Sequence, residues 1–223
     1  MAAPDPSHSL ESPLVRPVVW GVLGGIAAGK SAVARLLAGR DGLVISADEL
    51  ARAALDSPAV LARVRARFGP AAIGPDGRVD RAVLARSVFD PLRGAGLRLE
   101  LESWTHPLVR DRIWERLSAA RASGVPRIVL DVPLLLENDA QHGLTRQCDA
   151  LVFVEVRDDE RERRAQQERG WPRGEVARRE ATQLPLLEKK KRAHHVIEND
   201  QGLAQLEQAV QGLLVRLRGA TPR

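Results

Sequence analysis

The chain has 223 residues, 34 of them Lys or Arg and 29 Asp or Glu, for a formal net charge of +5. That length suits one compact domain with inserted subdomains, or two small domains, with ample room for a core. A lone Cys148 excludes an intrachain disulfide or a cysteine metal cluster, and no run of about 18 apolar residues could span a bilayer, so a cytoplasmic protein without a membrane partner is expected.

Four of the basic residues are lysines (Lys30, Lys189, Lys190 and Lys191) and the other 30 are arginines. Arginine alternates with carboxylate along most of the chain. The basic surplus, with a pI of about 10.2, therefore fits anionic small molecules as well as a polynucleotide. Aromatic side chains for base stacking make up only 3% of the residues, which argues against a nucleic-acid partner.

Residues 1–17 are rich in Pro and Ser and lack the basic start and apolar centre of a secretion signal. They are expected to form a disordered extension. Residues 18–23 are an apolar run that suits a buried strand, and 32–38 have helical periodicity. A second strand is expected at 42–46, then helices over 48–55 and 58–68. Gly-Pro and Asp-Gly steps mark 69–80 as turn-rich, and Asp80 caps a helix reaching residue 88. Two further helices, 97–103 and 107–121, lead to a third strand at 127–131 and a fourth at 150–155. Charged helical stretches cover 157–168 and 175–181, a fifth strand 195–197, and a closing amphipathic helix 203–217. Strands that alternate with helices predict a parallel α/β sheet, interrupted by a long helical insert.

Between the first strand and its helix, Gly24-Gly25-Ile26-Ala27-Ala28-Gly29-Lys30-Ser31 reads G-x-x-x-x-G-K-S, the phosphate-binding loop pattern. Backbone N–H groups of such a loop converge on anionic oxygens, and the positive end of the following helix adds to their pull. Lys30 can reach the β- and γ-phosphates of a nucleoside triphosphate, and the Ser31 hydroxyl can ligate Mg²⁺. Gly24, Gly25, Ala27, Ala28, Gly29, Lys30, Ser31 and Ala32 are the expected nucleotide-binding residues.

Further motifs occur in order: Val44-Ile45-Ser46-Ala47-Asp48; Asp76-Gly77-Arg78-Val79-Asp80-Arg81 with Leu84 and Phe89 beyond; His106-Pro107; Val132-Pro133-Leu134-Leu135-Leu136-Glu137; and Val196-Ile197-Glu198-Asn199. Together with the loop they resemble the signatures of the dephospho-CoA kinase family over residues 18–215. The resemblance implies a P-loop NTPase of the nucleotide kinase type, with a five-stranded parallel sheet, a helical acceptor-binding insert and a lid. On that reading 18–47, 125–156 and 193–218 form the nucleotide-binding core, 48–124 the acceptor domain and 157–192 the lid region. The implied substrates are ATP, with Mg²⁺, and 3′-dephospho-CoA, in a monomer or small homo-oligomer. Two other readings remain: a related small-molecule P-loop kinase for a nucleoside or sugar acid, and a nucleotide-gated binding protein. A GTPase of the latter kind would offer N-K-x-D for its base, and the chain has no such tetrapeptide.

Asp48 matches the family carboxylate that acts on the acceptor hydroxyl, and a carboxylate beyond a parallel strand end could take that proton. It could equally cap the helix that begins there. Arg164 matches a lid arginine that reaches the ATP phosphates, yet it stands in Arg161-Glu162-Arg163-Arg164, where a solvated salt-bridged face is the other explanation. By resemblance Arg81 and His106 serve the acceptor and Asn199 lies near the adenine. The run Lys189-Lys190-Lys191-Arg192 reads as a solvated helix end near anionic ligands. Three departures stand out. Ala27 replaces a loop glycine, which demands negative φ or some strain, Ser46 replaces the first Asp of V-I-D-A-D, and Glu168 stands where relatives have a basic lid residue beside Arg169. Asp131, at the end of the third strand, could hold Mg²⁺ through water.

Overall fold

The computed structural model describes residues 17–88, 90 and 94–219. The extension expected before the first strand lies outside them except for Pro17, and so does Phe89.

Five short apolar segments form one parallel sheet: β1 (Val18–Gly24), β2 (Leu43–Ser46), β3 (Arg127–Asp131), β4 (Ala150–Glu155) and β5 (His195–Glu198), in the order β2-β3-β1-β4-β5. Successive side chains of a strand point to opposite faces. Accordingly Val19, Leu23, Ile128, Leu130, Leu151 and Phe153 enter one buried cluster, while Trp20, Val22, Val129, Val152 and Val154 enter another. Helices α2 (Ala47–Leu55) and the second half of α5 (Gly94–Ala122) cover the first face; α1 (Lys30–Ala38) and α10 (Leu203–Gly219) cover the second. Burial on both faces is why these strands read as unbroken apolar runs. The chain leaves β1 towards β2 on one side and β4 towards β5 on the other, so a crevice opens beyond the carboxyl ends of β1 and β4.

The insert has a small core of its own. Val60 and Val64 of α3 (Pro58–Phe68) pack with Ala72, Val79, and Leu84 and Val88 of α4 (Arg81–Val88), and Leu97, Leu101 and Trp104 close it from α5. Asp80 caps α4 as its position suggested, its Oδ1 accepting from the N–H groups of Ala82 and Val83 at 3.0 Å each. After β3 comes the short α6 (Asp139–His142), too brief to leave a periodic signal, and α7 (Asp158–Arg169), α8 (Glu175–Glu180) and α9 (Leu186–Lys191) lie between β4 and β5. No helix among the described residues is long and apolar enough to cross a membrane.

One expectation is corrected. Where His106-Pro107 suggested a break between two helices, α5 runs unbroken for 29 residues with Pro107 inside it. An internal proline removes one helical hydrogen bond and costs about 3 kcal/mol. Here both halves are anchored, Leu97, Leu101 and Trp104 in the insert core and Val109, Ile113 and Leu117 against the sheet, and this packing outweighs the local cost. The hydroxyls of Ser103 and Thr105 also donate to carbonyls of the preceding turn, at 2.6 Å to Glu100 and 3.1 Å to Leu101. Pro107→Ala should therefore stabilise the protein by roughly 1–3 kcal/mol, read as a higher midpoint in denaturant. An unchanged or lower midpoint would mean that the proline shapes the helix to fit both partners.

Candidate active site

The crevice is a cleft of about 720 Å³ whose floor is the loop after β1. Gly24, Ala27, Ala28, Gly29, Lys30, Ser31 and Ala32 all line it, whereas Gly25 faces away, against the side chains of Arg161 and Glu180. Gly29 is left-handed, with φ of 81°, and closes the turn into α1. A Cβ there would meet Asn199 Nδ2 at 2.5 Å, so side chains approach the loop too closely for anything but glycine. Ala27 also sits at positive φ, 58°, so of the two outcomes that its departure from glycine allowed, the chain takes the strained one. The strain is worth about 1–2 kcal/mol.

Lys30 Nζ donates to the carbonyls of Gly25 and Gly24 at 2.7 and 3.2 Å. Burial first, then the neighbouring Lys189, lower its pKa to about 8, with a lesser push from Arg169, while Asp131 and Glu180 pull the other way. Ser31 lies exposed in the first turn of α1, and Asp131 enters the same cleft from the end of β3, in register with Ser46. Asp48 also lines the cleft, exposed, and its carboxylate has no hydrogen-bond or ion-pair partner among the described residues. The capping alternative for Asp48 is overturned: the residue that caps α2 is Ser46, whose Oγ accepts from the Glu49 N–H at 3.3 Å.

Arg164 reaches the cleft from α7. Its Nε donates to Glu160 at 2.8 Å and its Nη2 to the Asn199 carbonyl at 2.6 Å. Hydrogen bonds from Arg163, then from Arg164, hold the Glu160 carboxyl down at about 2, so Arg164 always faces a carboxylate. The solvated-face reading therefore fits Arg163, with a side chain 54% exposed, and fails for Arg164 at 15%. Asn199, placed near the base by resemblance, has its side-chain amide committed to the loop, donating to the Ala28 carbonyl at 2.9 Å. Glu168 and Arg169 line the cleft side by side, and the Arg169 and Arg179 guanidinium groups lie 4.9 and 4.1 Å from the ring centre of Trp171.

Besides Gly25, two of the expected site residues are not in the cleft wall. Arg81 lies half-exposed on α4, 3.7 Å from Asp56, and His106 is on the exposed face of α5. Conversely, Lys189 is buried rather than solvated, which corrects the reading of its basic run. Its Nζ pairs with Glu137 at 2.7 Å and donates to Gln183 at 3.1 Å, all three residues lining the cleft. Sequence reasoning also missed that Arg161 is buried against Glu180. A signal existed: Ala165 is the lone apolar residue of α7, and Arg161, one turn before it, shares its inward face.

Residues 18–205 match the model of a family described as dephospho-CoA kinase. A dephospho-CoA kinase of Anaeromyxobacter dehalogenans is 40% identical over 208 residues, covering 92% of this chain and 94% of its own. The solved structure of a Thermus thermophilus protein is similar with a TM-score of 0.66 and 35% identity, over 91% of this chain and 98% of its own. A Campylobacter jejuni dephospho-CoA kinase has the same fold, with a TM-score of 0.66 at 20% identity and the same two coverages.

A phosphate bound on this loop favours the charged form of Lys30, so nucleotide affinity should depend on pH. With a pKa of about 8 the ammonium is mostly present at pH 7 and mostly lost at pH 9, and affinity should fall about tenfold between them. Folding stability moves the other way. The unfolded chain holds this proton up to its ordinary value of 10.5, so the cost of burying the charge shrinks as pH rises through 8. Titration of Mg-nucleotide into the protein at both pH values, with Lys30→Met as a flat control, checks the first sign. An affinity that rises with pH would contradict it.

Proposed function

The chain belongs to the dephospho-CoA kinase family and transfers the γ-phosphoryl group of ATP to the 3′-hydroxyl of 3′-dephospho-CoA, giving CoA and ADP, and we propose that the cleft beyond β1 and β4 carries this reaction. The observation behind that placement is that two kinds of group line one cleft. The phosphate-binding loop with Lys30 and Ser31 contributes one, and the carboxylate of Asp48, unpartnered among the described residues, contributes the other.

Phosphoryl transfer asks the protein mainly to position two reactants and to neutralise charge on the transferring oxygens. The loop N–H groups and Lys30 grip the phosphates, and Arg164, fixed by Glu160 and the Asn199 carbonyl, brings a second cation to them. Asp48 orients the acceptor hydroxyl and accepts its proton as the bond to phosphorus forms. Ser31 and Asp131 would hold Mg²⁺. No group of three His, Cys, Asp or Glu among the described residues makes a protein cage for a metal. That suits an ion carried chiefly by phosphate oxygens and water, which offsets phosphate charge when bound.

Residues 48–124 would receive the acceptor and 157–192 act as the lid. Dephospho-CoA is long, and Arg81 and His106, beyond the cleft wall, would meet parts of it remote from the reacting hydroxyl. We further propose a cytoplasmic monomer or small homo-oligomer that engages neither nucleic acid nor a membrane.

Asp48→Asn keeps the shape and removes the proton-accepting charge, and α2 keeps its cap because Ser46 provides it. Turnover should fall by roughly 10²–10⁴, with nucleotide affinity and thermal midpoint unchanged. Undiminished turnover would remove Asp48 from the chemistry. Arg81→Ala should raise KM for dephospho-CoA more than KM for ATP, and a reversed order would detach the insert from the acceptor.

A further inference from the structure

Ile26 stands in the phosphate-binding loop between two lid side chains. Its N–H donates to Glu180 Oε1 at 2.6 Å, and its carbonyl accepts from Arg161 Nη1 at 3.4 Å. Arg161 Nη1 also donates to the same Glu180 oxygen at 2.5 Å, and its Nη2 to Asp158 at 2.7 Å. Arg161 is 3% exposed and the Glu180 side chain 15%, so this is an interior ion pair and not a surface one. A surface pair would contribute little, whereas a buried one holds its geometry firmly. A Cβ on Gly25 would fall 2.5 Å from Arg161 Nη1 and 2.8 Å from Glu180 Oε1, so the glycine is what lets the pair approach.

The residue that follows Ile26 is the strained Ala27, with φ of 58°, and the next carbonyl, that of Ala28, accepts from Asn199. A left-handed alanine persists only where its surroundings fix the backbone on both sides. Here Glu180 and Arg161 fix the near side, from α8 and α7, and Asn199 fixes the far side, from the end of β5. We propose that Arg161 and Glu180 are positioning residues for ATP: a lid-borne clamp that keeps the loop in its phosphate-binding shape in spite of Ala27. This rests on the nucleotide reading of the loop. It adds that the lid contributes to ATP affinity through a pair that lies outside the cleft wall and touches only loop backbone.

The test replaces both members, Arg161→Leu with Glu180→Leu, because removing one would strand a buried charge, while exchanging both for apolar groups is usually tolerated. Calorimetric titration with Mg-ADP should show a Kd raised about tenfold, the usual size of a lost hydrogen bond to a charged group. The Kd for dephospho-CoA and the thermal midpoint should stay unchanged. Adding Ala27→Gly, which relieves the strain, should cut the Mg-ADP penalty of the double replacement to about threefold or less. Unchanged Mg-ADP affinity in the clamp variant would overturn the proposal. So would an equal weakening of both ligands, or a penalty that Ala27→Gly leaves untouched. Failure of the wild-type protein to bind Mg-ADP would instead sink the nucleotide reading beneath it, a result that no comparison among the variants can mimic.

Discussion

A phosphate-binding loop works only while consecutive backbone N–H groups point inward at one spot, and an unliganded chain has no reason to hold that shape. The requirement is met here by contacts that converge on eight residues from four directions. Lys30 folds back onto the carbonyls of Gly24 and Gly25, Asn199 takes that of Ala28, and Arg161 with Glu180 brackets Ile26. Beneath them β1 is the middle strand of the sheet, hydrogen-bonded to β3 and β4 and buried on both faces. The parallel order matters because it delivers the ends of β1, β3, β4 and β5 to the same edge. A loop, a carboxylate from β3, Arg164 of α7 and Asn199 can therefore share one crevice.

Electrostatics in that crevice is a balance rather than a surplus. Lys30, Lys189, Arg164 and Arg169 crowd around a site meant for a polyanion, and each except Lys30 already has a carboxylate or an aromatic ring to satisfy it. Lys30 contacts only loop carbonyls, and burial beside other cations lowers its pKa. It is thus the cation with most to gain from a phosphate. An incoming nucleotide restores a full charge that the protein alone holds at a cost. Glu137 keeps Lys189 buried and also accepts from the Leu184 N–H at 3.2 Å, which ties α9 and the segment before it to the cleft.

The sheet, the loop and the order of elements were legible because they rest on local signals: apolar runs between breakers, a motif with fixed spacing, and Asp80 at a helix start. What escaped depends on partners far apart in the chain. The continuity of α5 through Pro107 follows from two cores that anchor its two ends, and neither is visible in a window around the proline. Lys189 looks like three neighbours in a basic run until Glu137, 52 positions earlier by residue number, is placed against it. Arg161 and Glu180 belong to two highly charged helices whose sequences suit a solvated surface, and their burial is set by a loop more than 130 residues away. Charged residues that a fold buries in pairs leave almost no periodic trace, because each member alone has the pattern of an exposed one.

The departure at Ser46 bears on the most specific chemical role proposed. Aspartate and serine are both good helix caps, so replacing the family's first Asp by Ser leaves the start of α2 intact while removing one negative charge from beside Asp131. Ser46 is in register with Asp131, so a carboxylate at position 46 would have stood beside another on the adjacent strand. Like charges that close raise one another's pKa and compete for the same cation. With serine there, capping and the proposed proton acceptance fall to different residues: Ser46 holds the helix, and Asp48, two residues on, is left without a partner among the described residues at the cleft wall. That freedom is what the acceptor-directed role requires. A carboxylate already engaged as a cap would have to break the helix start to meet a hydroxyl, and this one does not.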